Sequence, residues 1–218
     1  GSADQQTREY DALQWSLINM LNAGFGESLP DEVVRGSMVV RANGLLKGHS
    51  SIRYEVLANL VKLLNAKLIP VVPLRGSVSA SGDLVPLSYI AATLLGKDGL
   101  MVRSKDRATG EVTEIPAKEA LRMVGVDPIT LKLKEGLALV NGTSVCNAQA
   151  ALALLDSHVL TLLSQALTAM CTEALLGTEH NYDPFIHAVA RPHRGQVEVA
   201  RNIAHMLVGS KLLRNNPK

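Results

Sequence analysis

Three small residues, Ala80-Ser81-Gly82, can do chemistry that no single side chain of this sequence supplies. Gly82 has no Cβ, so its backbone reaches conformations closed to other residues and can bring its nitrogen up to the Ala80 carbonyl. Attack of that nitrogen on the carbonyl carbon closes a five-membered ring. Loss of one water there, and of the Ser81 hydroxyl as a second, leaves an exocyclic methylene conjugated to the ring. The product is an electrophile built from backbone. Ala-Ser-Gly is also a common tripeptide, and taken alone it reads first as a Ser-rich turn leading into a capped helix.

Other residues invite chemistry more weakly. Asn141, between Val140 and Gly142 at the entrance to a long helix, is by residue type an N-cap or turn residue. His49 and the set His180, His187 and His193 suggest a metal, but intervals of seven and six residues within that set match no helical ligand pair. No Cys or carboxylate cluster completes a site, so these histidines are read as structural or surface groups, with no metal expected. There is no Gly-rich phosphate loop, and no Gly-x-Ser-x-Gly surrounds Ser81 to make it a hydrolase nucleophile.

The elements that must position Ala80-Ser81-Gly82 are helices. Asp83-Leu-Val-Pro86 is a helix start: Asp83 or Ser81 can cap, and Pro86 is tolerated in a first turn. Leu84, Leu87, Ile90, Ala91 and Leu94 then recur at helical spacing. Such an N-terminus carries partial positive charge, which favours negative charge developing on a neighbouring ring. Upstream, residues 9–22 form an amphipathic pattern, and a second helix opens at Ser28-Leu-Pro30-Asp31 and runs to about Leu46. A third, capped by Ser50 or Ser51, runs to about Lys67, after which Pro70 and Pro73 force extended chain. Downstream, residues 100–115 suggest a small surface hairpin, and Pro116 starts a short helix that Gly125 stops. Residues 127–142 read as irregular. A long helix from about Thr143 to Leu176 is apolar nearly all round, which predicts burial among other helices. Residues 177–194 read as loop or broken helix, and a last helix follows from about Gly195 to Val208.

Composition fits this outline. The chain has 218 residues, 47% hydrophobic and 19% charged, enough for one large domain with a real core. Aromatic residues are only 3%, so Leu, Ala and Val must fill that core, which favours close-packed helices over a β-sandwich. A net charge of +2 makes no case for nucleic acid or an anionic membrane as partner. Cys146 and Cys171 read as buried free thiols, with a disulfide left open. The apolar stretch 148–176 is broken by Gln149, Asp156, His158, Gln165 and Glu173, so no membrane span is expected. With no signal peptide evident, the expected location is the cytoplasm.

Ser79-Ala-Ser-Gly-Asp-Leu-Val-Pro-Leu-Ser-Tyr-Ile-Ala91 closely resembles the prosthetic-group segment of the aromatic amino acid ammonia-lyases, especially the phenylalanine ammonia-lyases. Further segments match in order: Gly1-Ser-Ala-Asp4, Glu32-Val-Val-Arg-Gly-Ser-Met38, Lys47-Gly-His-Ser-Ser-Ile-Arg53, Glu135-Gly-Leu-Ala-Leu-Val-Asn-Gly-Thr143, Arg191-Pro-His193 and Gly209-Ser-Lys-Leu212. Gly1-Ser2 reads either as a cloning remnant or as native, since Gly-Ser-Ala-Asp follows the lid loop in that family.

The resemblance implies an all-α fold, a bundle of long helices of which residues 1–218 are the central portion. It implies that Ala80, Ser81 and Gly82 cyclise to 4-methylidene-imidazole-5-one (MIO). Asn141 is then expected to hold the ring and substrate, Leu137 to line the aromatic pocket, and Leu84 to touch both. The implied reaction is non-oxidative elimination of ammonia from L-phenylalanine or L-tyrosine, giving trans-cinnamate or p-coumarate. The implied assembly is a homotetramer whose subunits compose each active site together. Two family parts are expected outside this sequence: a lid-loop Tyr before Gly1 and a Gln-Asp-x-Tyr-Ser-x-Arg segment after Leu213. The chain alone is therefore expected to be inactive. An MIO-dependent aminomutase and a catalytically silent helical piece used for assembly are the alternatives.

Overall fold

The computed structural model describes residues 9–106 and 109–214. The opening Gly1-Ser-Ala-Asp4 and the hairpin residues Arg107 and Ala108 lie outside the described residues. Two compact units divide the chain, one up to Leu152 and one from Ala153 onward.

The first unit carries most of the helices in the order expected: α1 (Tyr10–Leu21), α2 (Asp31–Leu46), α3 (Tyr54–Asn65), α4 (Leu84–Leu94), α5 (Ala117–Met123) and α6 (Glu135–Val140). At its centre is α4, where every residue from Pro86 to Leu94 is buried. Leu87, Ile90, Ala91 and Leu94 belong to one core with Ile18 of α1, Met38 of α2 and Leu60 and Leu63 of α3. Each such leucine contributes roughly 1.5–3 kcal/mol by leaving water. The polar members of α4 are satisfied locally or by the chain just after α1, where Gly24 pairs with the Tyr89 hydroxyl. Thr93 Oγ1 donates to the Tyr89 carbonyl at 2.9 Å, and Ser88 Oγ donates to the Val85 carbonyl at 2.6 Å while accepting from Asn22 Nδ2 at 2.7 Å.

Among the described residues, five short strands join the helices. The expected hairpin is β4 (Met101–Lys105) and β5 (Val112–Pro116), and β2 (Leu68–Pro70) adds a third antiparallel strand against β4. A separate antiparallel pair, β1 (Phe25–Ser28) with β3 (Pro73–Arg75), holds the chain just before Ala80-Ser81-Gly82. There the backbone of Gly76, at φ +129°, passes so close that a Cβ would lie 2.9 Å from the Gly24 Cα.

Three local expectations are corrected. Neither Ser50 nor Ser51 caps α3, which begins after Arg53. Asp83 occupies the N-cap position of α4 but makes no side-chain cap. Residues 127–142 are not wholly irregular, because they contain α6.

The helix α7 (Ser144–Ala174) starts in the first unit and continues into the second. Within the second unit its residue Ala169 packs with Ile203 and Leu207 at the end of α8 (Arg194–Met206), beside Tyr182 and Val199. A 3-10 turn, Glu179–Tyr182, and a π-helical segment, Phe185–Ala190, fill the broken stretch between them. His187 serves as a structural group, bonded to the Asn181 carbonyl at 2.8 Å and to Gln196 at 3.0 Å.

The predicted burial of α7 is not found. Leu155, Val159, Leu160, Leu162 and Leu163 are each half or more exposed. Hydroxyls of Ser157, Thr161 and Thr168 turn back onto carbonyls four residues earlier, which leaves the outer surface of the helix apolar. Both cysteines are exposed and free, where burial was expected. By length and composition the helical run 135–174 is apolar enough to cross a membrane, a test that a helix buried in protein also passes.

Candidate active site

The Ala80-Ser81-Gly82 segment bridges β3 and the first turn of α4. Ala80 and Ser81 are exposed, whereas Gly82 and Asp83 are buried. Gly82 adopts φ +130°, a region that L side chains avoid, and a Cβ there would lie 2.5 Å from the Gly142 carbonyl oxygen. Directly after it, the Asp83 N–H donates to the same Gly142 carbonyl at 3.1 Å. Two turns that are sixty residues apart in sequence are thus pressed backbone to backbone, and Asn141 sits at the junction.

The Asp83 carboxylate is drawn away from capping by two other donors. Its Oδ2 accepts from Cys146 Sγ, in the first turn of α7, at 2.8 Å, and its Oδ1 accepts from Ser77 Oγ at 3.4 Å. That bond to Asp83, with burial adding, pushes the Cys146 thiol up from its ordinary value, so the sulfur stays a protonated donor. A cleft of about 160 Å³ lies here, lined by Arg75, Ser77, Asp83, Val85, Cys146 and Gln149 among others. It is smaller than the roughly 300–1,000 Å³ that small-molecule sites usually enclose, and none of Ala80, Ser81, Gly82, Leu84, Leu137 or Asn141 lines it. A larger groove of about 480 Å³, near Arg53, Lys62 and Asp127, likewise shares no residue with the segment.

Asn141 and Leu137 are delivered by α6. Asn141 closes that helix, its N–H donating to the Leu137 carbonyl at 3.0 Å, and both side chains are exposed. Leu84, partly buried, is the first residue of α4. The structure therefore brings the Asn141–Gly142 turn onto Gly82, and places Leu84 and Leu137 on the two helices that flank this junction.

Six residues are too few for a helix to persist alone, so α6 needs outside support. Its Gly136 N–H donates to Gln14 Oε1 of α1 at 3.0 Å, and a Cβ at 136 would come within 2.8 Å of that oxygen. Its Glu135 carboxylate, 2% exposed, accepts four hydrogen bonds. Arg53 gives three of them, from its backbone N–H, Nε and Nη2 at 3.0, 2.8 and 2.9 Å, and the Lys132 N–H gives the fourth at 2.7 Å. Burial alone raises the Glu135 pKa. The hydrogen bonds from Arg53 and Lys132, with the Arg53 charge, outweigh it and hold the carboxyl below its ordinary 4.5.

A depressed carboxylate pKa stabilises the fold above the unfolded-state value. That contribution is lost as the pH falls through the lower folded-state value. Glu135→Ala is expected to destabilise the protein by roughly 2–3 kcal/mol at neutral pH, at or below the low end for buried pairs because Arg53 keeps some contact with water. Denaturant titrations at neutral pH and through the acid range check this, the gap between wild type and variant closing only on the acid side.

Sequence reading alone did not single out Arg53, Glu135, Cys146 or Gly142 for the site. Three of them had a signal: Arg53 ends Lys47-Gly-His-Ser-Ser-Ile-Arg53, and Glu135 and Gly142 lie in the Glu135–Thr143 segment. Among the described residues no group of three or more His, Cys, Asp or Glu is arranged to hold a metal ion.

A family model described as aromatic amino acid lyase matches residues 1–218. A phenylalanine ammonia-lyase of Rhodotorula mucilaginosa is 47% identical over 225 residues, covering 97% of this chain and 31% of that protein. A crystal structure of phenylalanine ammonia-lyase from the yeast Rhodosporidium toruloides superposes with a TM-score of 0.91 at 43% identity, over 97% of this chain and 34% of that one. The phenylalanine aminomutase of Pantoea agglomerans superposes with a TM-score of 0.82 at 32% identity, over 96% of this chain and 39% of its own. The chain thus spans about a third of the length of the relatives it matches.

Proposed function

Because the chain belongs to the aromatic amino acid lyase family, we propose that the full-length protein eliminates ammonia from L-phenylalanine or L-tyrosine, and that Ala80-Ser81-Gly82 matures to MIO. The observation that carries this reading is the Gly82 seat. A residue at φ +130° with Gly142 filling the place of any Cβ must be glycine, and ring closure requires an unobstructed backbone at that same residue. On that ground the residues fit the group.

Maturation balances within the segment. A bond forms between the Gly82 nitrogen and the Ala80 carbonyl carbon. The carbonyl oxygen leaves as water with the hydrogens of the Gly82 and Ser81 nitrogens. The Ser81 hydroxyl then leaves with the Ser81 Cα hydrogen as a second water. Once formed, the ring supplies an electrophilic methylidene carbon. The rest of the work falls to the surrounding chain. The first turn of α4 presents the positive end of the helix to the segment, and Asp83 is held in place from both sides by Ser77 and Cys146. Asn141, exposed where α6 ends, offers an amide donor and acceptor to the ring and to a bound amino acid, while Leu84 and Leu137 offer apolar surface to its aromatic side chain.

A homotetramer is part of the same proposal. The exposed leucines of α7 form an apolar surface of a kind that assembly covers. Purified full-length protein incubated with L-phenylalanine or L-tyrosine is expected to release ammonia and the α,β-unsaturated acid, and to sediment at four times its protomer mass. Failure to release ammonia from either amino acid refutes the lyase reading. Recovery of a β-amino acid as the main product favours the aminomutase.

A further inference from the structure

Arg41 of α2 plays no part in the chemistry described so far, yet its guanidinium reaches the junction between the two turns. Its Nη2 donates to the Ala138 carbonyl, one of the last four of α6, which lack helical partners by geometry. Its Nη1 occupies the place that a Cβ on Gly142 would take. The Arg41 Nε is buried and, among the described residues, has no hydrogen-bond partner. Burial also pushes the guanidinium below its usual pKa. A cation at a helix C-terminus is favourable, but a buried one with an unsatisfied N–H carries a penalty that a surface lysine at this point would avoid.

We propose that Arg41 is a positioning residue for maturation: by capping the end of α6 and seating against Gly142, it holds the Asn141–Gly142 turn on Gly82 in the conformation that closes the ring. The chain of contacts is short. Arg41 fixes Ala138 and Gly142, the Gly142 carbonyl accepts from Asp83 N–H, and Gly142 lines the space beside the Gly82 Cα. The inference rests on the MIO reading above and goes beyond it by naming the residue that sets the geometry.

The test uses full-length protein and reads the peptide spanning residues 75–95 by mass, as the fraction missing two waters, in soluble material that elutes where the wild type does. Arg41→Met is expected to lower that fraction about fivefold or more, and Arg41→Lys, which keeps a donor for Ala138, to recover part of it. Gly142→Ala evicts the guanidinium from its seat. The double variant Arg41→Met/Gly142→Ala should therefore be no worse than the worse single variant. If Arg41→Met is insoluble, the pair Arg41→Lys and Gly142→Ala serves the same cycle. A wild-type fraction in the Arg41 variants, or losses that multiply in the double variant, overturns the inference alone. Absence of the two-water loss in the wild type overturns the MIO reading, and this inference with it.

Discussion

If Ala80-Ser81-Gly82 matures as proposed, Ser81→Ala is expected to abolish the two-water deficit of the segment and, in the full-length protein, to lower the proposed ammonia release by roughly 10³-fold or more, the order lost when the covalent group of an enzyme is deleted. Alanine has no β-hydroxyl to leave, so an exocyclic methylene cannot form whatever the backbone does. One water at most can be lost, through closure between positions 80 and 82. Ser81 is exposed and lies outside both hydrophobic clusters, so the variant should fold as the wild type does. Unchanged thermal stability beside lost activity is the expected pair of results. The readouts are a peptide mass map, a melting curve and an assay for the unsaturated acid.

Gly82→Ala is expected to reach the same loss by a different route. Alanine at φ +130° is strained by roughly 1–3 kcal/mol, and its Cβ would meet the carbonyl oxygen, carbonyl carbon and nitrogen of Gly142 at 2.5–2.7 Å. Those atoms are backbone, so no rotamer change relieves the clash and the two turns must separate. Separation breaks the bond from Asp83 N–H to the Gly142 carbonyl and shifts the start of α4, a helix buried almost throughout. Gly82→Ala should therefore lose both maturation and stability, whereas Ser81→Ala loses maturation alone. A melting point equal to the wild type in Gly82→Ala would show that the close approach of Gly82 to Gly142 is not what holds the segment.

Much of the frame was legible in residue pattern. The periodicity of Leu84, Leu87, Ile90, Ala91 and Leu94 located α4 to within a residue. The turn residues between two short apolar runs located the β4–β5 hairpin, and Pro116 with Gly125 bounded α5. The misses share a cause, because each depends on a partner distant in sequence. The start of α3 is set by Arg53, whose backbone and side chain are claimed by Glu135, and no local cap competes with that. Asp83 has the residue type of a cap, but Cys146 and Ser77 take its carboxylate. Within the site, α6 escaped notice because a six-residue helix containing Gly136, entered through Lys134 at φ +66°, has no propensity to announce it. It exists because Gln14, Arg41 and Arg53 hold its groups.

For α7 the all-round apolar pattern is present, but the burial it predicts is not. An all-round apolar helix asks for burial, and in this chain Leu155, Val159 and Leu160 remain exposed. What such a helix packs against cannot be inferred from its own sequence. The candidate site has the same property. The residues that would make the ring are local, and three letters and their neighbours point to them. The Gly82–Gly142 contact that would govern whether they react is tertiary, and became visible only in the fold.

The most direct test is the mass of the peptide spanning residues 75–95 from full-length protein. A deficit of two waters, localised by fragmentation to Ala80, Ser81 and Gly82, is expected. A peptide of unmodified mass from protein that is folded and assembled would contradict it, leaving Ala80-Ser81-Gly82 as the tight turn into a capped helix that its composition first suggests.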